Sequence, residues 1–143
     1  MCCYPRFREV YVREQKVYRT ELTPVSFLRR SSYMFPQKTA VVHGDRRCSY
    51  REFEERVNRL SSSLVKAGLK KEDRVAFLAP NIPSLLEAHF AVPAAGGVLV
   101  AINVRLNGNE VEYILKDSGA RFLFIDETLF PAIASLDLSN LQV

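Results

Sequence analysis

The sequence predicts an α/β fold: a β-α-β-α-β parallel sheet with helices on both faces, preceded by a β-hairpin and a capped amphipathic helix. Three observations predict it. Three apolar runs of strand length occur at Arg74 to Ala79, Val98 to Ile102 and Arg121 to Asp126. The stretches between them have helical apolar spacing and end in glycine. Strand–helix–strand crossovers of this length are right-handed and lay the strands parallel.

The elements follow in chain order. In "TPVSFLRRSSYMFP", Thr23 is an N-cap and Pro24 occupies the first helical position. Phe27 and Leu28, with Tyr33 and Phe35 beyond, mark a short amphipathic helix ending near Pro36. Thr39 to His43 and Arg46 to Cys48 read as a hairpin around Gly44-Asp45, an order that suits a type II′ turn because glycine comes first. Ser49 and Glu52 form a capping box. Phe53, Val57, Leu60, Leu64 and Ala67 then recur on one helical stripe, which Gly68 stops.

The run from Arg74 is apolar nearly throughout, as a strand covered on both faces requires. Pro83 opens a helix that is apolar almost all round, with only Ser84, Glu87 and His89 polar, so cover is expected on most sides. Pro93 predicts a kink or an early end between His89 and Ala94. Gly96-Gly97 stops the helix, and a second buried strand follows. Asn107 and Glu110 repeat the capping box, with Val111, Ile114 and Leu115 facing inward and Gly119 as the stop. A third strand follows, and Thr128 to Leu136 begins a further helix despite Pro131.

The chain has 143 residues, enough for one domain with a sizeable core. Its net charge of +4 is unevenly placed. The first 30 residues hold Arg6, Arg8, Arg13, Lys16, Arg19, Arg29 and Arg30 against Glu9, Glu14 and Glu21, while the remainder balances. Residues 1–21 therefore read as a basic, poorly ordered extension, and 22–143 as the folded unit. No basic stripe with interleaved aromatics marks that unit for nucleic acid. No run is long enough to span a membrane. Cys2, Cys3 and Cys48 have no metal-ligand spacing and read as free thiols of a cytoplasmic protein. Three glutamates count against a mitochondrial presequence.

In a parallel sheet, ligands sit beyond the carboxyl ends of the strands. Here those ends offer Asn81, Asn103, Asp126 and Glu127. Asparagines there serve as caps or turn residues, and acids there sometimes hold ribose or magnesium. Neither GxxxxGK[ST] nor GxGxxG occurs. Gly96-Gly97 lies where a helix ends, the wrong end for N–H groups to meet an anion. His43 beside the hairpin turn reads as a surface residue, and His89 as a hydrogen-bonded packing residue. Neither has a partner at zinc spacing. Glu87 and His89, two apart on a helix, face different ways. No serine stands in a GxSxG elbow. No catalytic, cofactor-binding or metal residue is assigned.

Taken together, "SYREFEERVNRLSSSLVKAGLKKEDRVAFLAPNIPSLLEAHFAVPAAGGVLVAINVRL", "NEVEYILKDSGARFLFID" and "LTPVSFLRRSSYMFPQKTAVVHGD" resemble the beginning of the AMP-forming acyl-CoA synthetases. The ordered run of Ser-Tyr-x-Glu, Asp-Arg-Val, Pro-Asn, Gly-Gly-Val, Asn-x-Arg-Leu and Asp-Ser-Gly-Ala carries the likeness. The resemblance implies a ligase that joins a carboxylic acid to ATP, releases pyrophosphate, and passes the acyl group to the thiol of CoA. ATP, magnesium and CoA are thus implied for the complete enzyme. The family's Ser/Thr/Gly-rich phosphate loop with its lysine, its later Thr-Glu and Thr-Gly-Asp motifs and its C-terminal lysine match no position here. Residues 22–143 are therefore expected to be an incomplete N-terminal portion of such a domain, inactive alone. A parent enzyme could reside in the cytoplasm, mitochondrion or peroxisome, although the final Leu141-Gln142-Val143 is not a Ser-Lys-Leu address. Two alternatives stand beside this reading: an interaction module that associates through uncovered sheet edges, and a small nucleotide-binding α/β domain.

Overall fold

The computed structural model describes residues 22–139 and 141, so the extension expected over 1–21 lies outside the described residues. Helix α1 spans Pro24–Met34 and is closed at its start by reciprocal hydrogen bonds between Thr23 and Ser26. Leu28 and Ser32 face inward; Phe27, Tyr33 and Phe35, expected on the apolar side, are exposed. A single turn of apolar contact satisfies the inner face, so those rings point elsewhere.

Strands β1 (Thr39–His43) and β2 (Arg46–Ser49) pair antiparallel, with His43 opposite Arg46. Gly44 takes φ +58° while Asp45 stays out of the positive region, as the glycine-first turn demands. The hairpin is a sheet of its own.

Helix α2, Tyr50–Lys66, begins with the Ser49–Glu52 capping box. Phe53, Val57 and Leu64 of its stripe are buried, and Leu60 is half-buried. Truncating a fully buried leucine such as Leu64 to alanine costs about 2–5 kcal/mol in comparable cores. The helix ends at Ala67, and Gly68 at φ +90° turns the chain toward the main sheet.

That sheet has three parallel strands, β3 (Arg74–Leu78), β4 (Val98–Ile102) and β5 (Phe122–Ile125), in the order β4-β3-β5. Val75 and Phe77 point to one face, against Leu64, Ala88 and Val92. Ala76 and Leu78 point to the other, against Val111, Leu115 and Ile133. Helices therefore cover both faces, and β3 is buried on both, as its unbroken apolar run predicts.

Strand β4 departs from expectation. Val98 is 48% exposed and Ala101 is open to solvent. The strand order explains this, because β4 has a neighbour on one side only among the described residues. Strand β5 is likewise an edge.

Helix α3, Pro83–Ala94, runs through Pro93 and stops one residue later. The proline sits in the last turn, where losing one hydrogen bond no longer breaks the helix. Cover is partial: Glu87, Ala88, Ala91 and Val92 are buried, whereas Leu86 is exposed. Helix α4, Gly108–Ser118, carries the Asn107–Glu110 capping box and ends at Gly119 in the left-handed conformation. The helix expected from Thr128 to Leu136 is instead a 3-10 helix, Glu127–Ala132, because Pro131 denies the α pattern a donor.

Candidate functional site

The strand register sets Leu78 level with Ile102 and Ile125. The three strands thus end together, and the exits at Asn81, Asn103 and Asp126 lie on one rim of the sheet. Each exit is shaped by short-range bonds. Ile82 N–H donates to the Pro80 carbonyl at 2.7 Å, which leaves the Asn81 side chain exposed. The Asn103 Oδ1 accepts from Arg105 N–H at 3.0 Å, and Leu106 N–H donates to the Asn103 carbonyl. Asp126 Oδ1 accepts from Thr128 N–H at 3.0 Å and from the Thr128 hydroxyl. Those bonds, the hydroxyl's foremost, hold the Asp126 carboxyl below its usual range. Glu127 is exposed in the first turn of the 3-10 helix.

This rim can begin helices and turn the chain. The Asn103 amide and the Asp126 carboxylate are engaged in turns, and among the described residues no run of N–H groups is folded into a cradle by a glycine-rich loop. Among the described residues no group of three or more His, Cys, Asp or Glu side chains is arranged to hold a metal ion. Gly96, at φ +87°, serves the exit from α3. Gly97 is packed so closely that an added Cβ would lie 3.1 Å from Leu69 and Val92.

The histidines are not brought together with the rim acids in any bond. His43 is exposed beside the hairpin turn, as expected. His89 is hydrogen-bonded as expected, its Nδ1 2.8 Å from the Leu85 carbonyl of its own helix, but it is exposed instead of packed. The one-residue step, about 100° around α3, puts it on the solvent side while Ala88 takes the core. Cys48 is half-buried and free, and burial, followed by the nearby Glu52 charge, pushes its thiol up.

Three charged arrangements escape a reading by local spacing. Glu87 is buried beneath the hairpin, where its carboxylate takes Nε of Arg56 at 2.5 Å and Nη2 at 3.2 Å. The bond to Glu87 raises the Arg56 guanidinium's affinity for its proton. A cleft of about 330 Å³ opens there between the hairpin and α2, lined by Cys48, Glu52, Arg56, Pro83 and Glu87. An adjoining, mostly apolar groove of about 510 Å³ brings His43, Asn81 and His89 into its lining beside Val42, Leu86 and Phe90. The signal available in the sequence was the acid itself: a lone carboxylate in an apolar helix needs a cation. At the opposite end of the sheet, Arg121 pairs with Asp73, and Arg74 donates to the carbonyls of Ser118 at 2.6 Å and Gly119 at 2.7 Å.

Comparison with known proteins supplies the context that the rim lacks. The family model described as "AMP-binding enzyme" matches residues 28–142. The 4-hydroxybutyrate–CoA ligase 2 of Metallosphaera sedula is 44% identical over 106 residues, covering 74% of this chain and 19% of its own length. The peroxisomal benzoate–CoA ligase of Arabidopsis thaliana is 41% identical over 121 residues, covering 85% of this chain and 21% of its own. Among solved structures, a fatty acyl CoA synthetase of Mycobacterium tuberculosis superposes with TM-score 0.75 at 32% identity, over 78% of this chain and 23% of that one. The anthranilate CoA ligase AuaEII, solved with anthranoyl-AMP, gives 0.78 at 28% identity, over 82% and 23%. The chain spans about a fifth of the length of these curated relatives.

Proposed function

We propose, from the premise that this chain belongs to the AMP-binding enzyme family, that it is the N-terminal portion of an AMP-forming acyl-CoA ligase and is silent as a catalyst by itself. The whole enzyme would convert a carboxylic acid to its acyl adenylate and then to a CoA thioester. Residues 22–143 would furnish walls and one sheet rim for that chemistry. The reactive groups would come from sequence not present in these residues.

The carrying observation is the state of the rim. Asn103 and Asp126 spend side-chain acceptors on neighbouring backbone N–H groups, and Asn81 is exposed. Phosphoryl and acyl-phosphoryl transfer need preorganised donors where negative charge gathers, and those donors supply much of the rate. The described residues of the rim do not fit ATP or magnesium as a reaction centre. The conversion of benzoate or fatty acids that relatives' names declare suggests an organic acid as substrate.

ATP–pyrophosphate exchange with the purified chain and a panel of organic acids tests the reading. The expected result is no exchange above a heat-treated control. Turnover that grows with added carboxylate would overturn it.

A second reading is favoured by the open edges. Val98 on β4 and Phe124 on β5, 36% exposed, leave apolar strand margins uncovered, and such margins invite pairing with another chain. In that reading the chain is an interaction module. A monodisperse monomer in size-exclusion with light scattering, at concentrations up to those in a cell, would speak against it.

A further inference from the structure

We propose that Arg56 and Glu87 are positioning residues: their ion pair sets the rotation of α3 about its axis, and so which α3 side chains stand in the groove beside the hairpin. Apart from Ser84, Glu87 and His89, α3 is apolar. Hydrophobicity gives such a helix little preference for one side. What preference it does give points away from the rotation observed. Ala88 and Ala91 are fully buried, while the larger Leu86 is 40% exposed and Phe90 is half-buried. Turning α3 to exchange the two sides would take more apolar surface out of water. It would also return the Glu87 side chain, now 8% exposed, to solvent. The observed rotation therefore needs a directional contact that offsets both.

Arg56 makes that contact. Glu87 and Ala91, four residues apart, share one row of α3. Ala91 packs with Leu28, Phe53 and Val57. Arg56 follows Phe53 on α2 by three residues and so shares its side of that helix. The rotation that seats Ala91 on α2 thus brings Glu87 to Arg56. Both carboxylate oxygens are taken, by Nε at 2.5 Å and by Nη2 at 3.2 Å. A two-point bond between planar groups fixes an orientation, whereas apolar contact tolerates several. Buried ion pairs add little net stability, and their best-attested use is to specify register. The consequence lies on the opposite side of α3. Leu86, His89 and Phe90 are held outward and line the apolar groove with Val42, His43 and Asn81. Glu87 lines the charged cleft instead, and Pro83 stands on the wall of both. The inference rests on packing within the chain and not on the ligase reading.

Solvent relaxation of methyl NMR signals by a gadolinium chelate, on the full 143-residue chain, tests the proposal. In wild type the Leu86 methyls should relax strongly while those of Ala88 and Ala91 are spared. Arg56→Leu leaves Glu87 without its cation, so α3 should turn to bring the acid to water. The contrast should then be lost or reversed, with Leu86 shielded and Ala91 reached by the chelate. Arg56→Met with Glu87→Gln is a milder second variant, in which an amide seeks water and the same loss is expected. Arg56→Leu with Glu87→Leu should restore the wild-type contrast, because the α3 row facing α2 is then apolar. Its urea midpoint should be no lower than that of wild type. A pair that served stability alone would lower the midpoint in Arg56→Leu and leave the contrast as it is. The wild-type contrast in folded Arg56→Leu, or in the folded second variant, would therefore overturn the proposal: close packing of Ala88 and Ala91 would set the rotation by itself. So would failure of both to fold, since the pair would then be a condition of stability and not of rotation.

Discussion

The two ends of the parallel sheet are built from opposite kinds of bond. At the amino end, Arg74 reaches residues 44 and 45 positions away, and Asp73 pairs with Arg121, 48 positions away. At the carboxyl end, the side-chain bonds of Asn103 and Asp126 reach only two residues along the chain. Side chains at one end tie distant segments together, while those at the other shape each loop separately; backbone bonds between strands, such as Asp126 N–H to the Leu78 carbonyl, cross both ends. Long-range bonds fix the fold. Locally closed loops can be altered without undoing it, which is what a rim that meets ligands or further chain requires.

The difference is most directly broken at Arg74. Its guanidinium satisfies two carbonyls at the end of α4 and so fastens that helix to the first strand of the sheet. Arg74→Met keeps much of the stem and removes both charge-assisted bonds. Stability should fall by about 2–3 kcal/mol, read from urea unfolding. A loss under about 0.5 kcal/mol would mean that the amino end is no more a clamp than the rim is.

A smaller break tests packing at the same end. An alanine Cβ at Gly97 would press on Leu69 and Val92 at 3.1 Å and on the Asp73 carbonyl oxygen at 3.2 Å. The backbone oxygen cannot swing aside as a side chain can. Gly97→Ala should cost about 1–2 kcal/mol through overpacking. Thermal melts of the variant and wild type, compared at one scan rate, would show it.

Acid should then separate the ends by mechanism. Asp73 is held below the usual carboxylate range first by Lys70 N–H and also by the Arg121 charge. Asp126 is held down by the Thr128 hydroxyl and N–H. In both, the folded-state value lies below the unfolded one of about 3.9. Their contribution is therefore present above that value and lost as pH falls through the folded-state value. Asp73→Asn and Asp126→Asn should each flatten the loss of stability below about pH 4. High salt should shrink the Asp73 effect, part of which comes from a cation, and leave the Asp126 effect in place. Urea midpoints across the acid range, at low and high salt, read both.

What the sequence made legible follows the same division. Thr23, Ser49 and Asn107 were identifiable as caps because a cap and its partner lie three residues apart, within a readable window. The apolar strand runs and glycine stops likewise placed the sheet and its helices. The Arg56–Glu87, Asp73–Arg121 and Arg74–Gly119 bonds join residues 31 to 48 positions apart. No periodicity announces such a partner, and only the assembled fold brings the groups together. The expected burial of strand β4 failed at Val98 and Ala101, though not at Ile102, for a related reason: hydrophobicity marks a strand, but its place at the centre or edge depends on strand order. His89 was misplaced because an almost uniformly apolar helix carries no moment to say which side faces water. The strand exits at Asn81, Asn103 and Asp126 were legible because a strand's end is a local property.

The smallest effect is expected at the rim, and it is the most informative about division of labour. Asn103 accepts one backbone bond from Arg105, and both residues are exposed. In Asn103→Ala the Arg105 N–H can turn to water, so no buried group is orphaned. The stability change should stay within about 0.5 kcal/mol, and the Leu106 bond to the Asn103 carbonyl should survive because it needs no side chain. Hydrogen exchange adds the local view. Arg121 N–H, bonded to the Arg74 carbonyl, should be protected in wild type and lose protection in Arg74→Met, yet keep it in Asn103→Ala. If Asn103→Ala destabilised the chain as much as Arg74→Met, or exposed the Arg121 amide, the rim would be part of the clamp, and its apparent freedom to serve other chemistry would be an accident of short bonds.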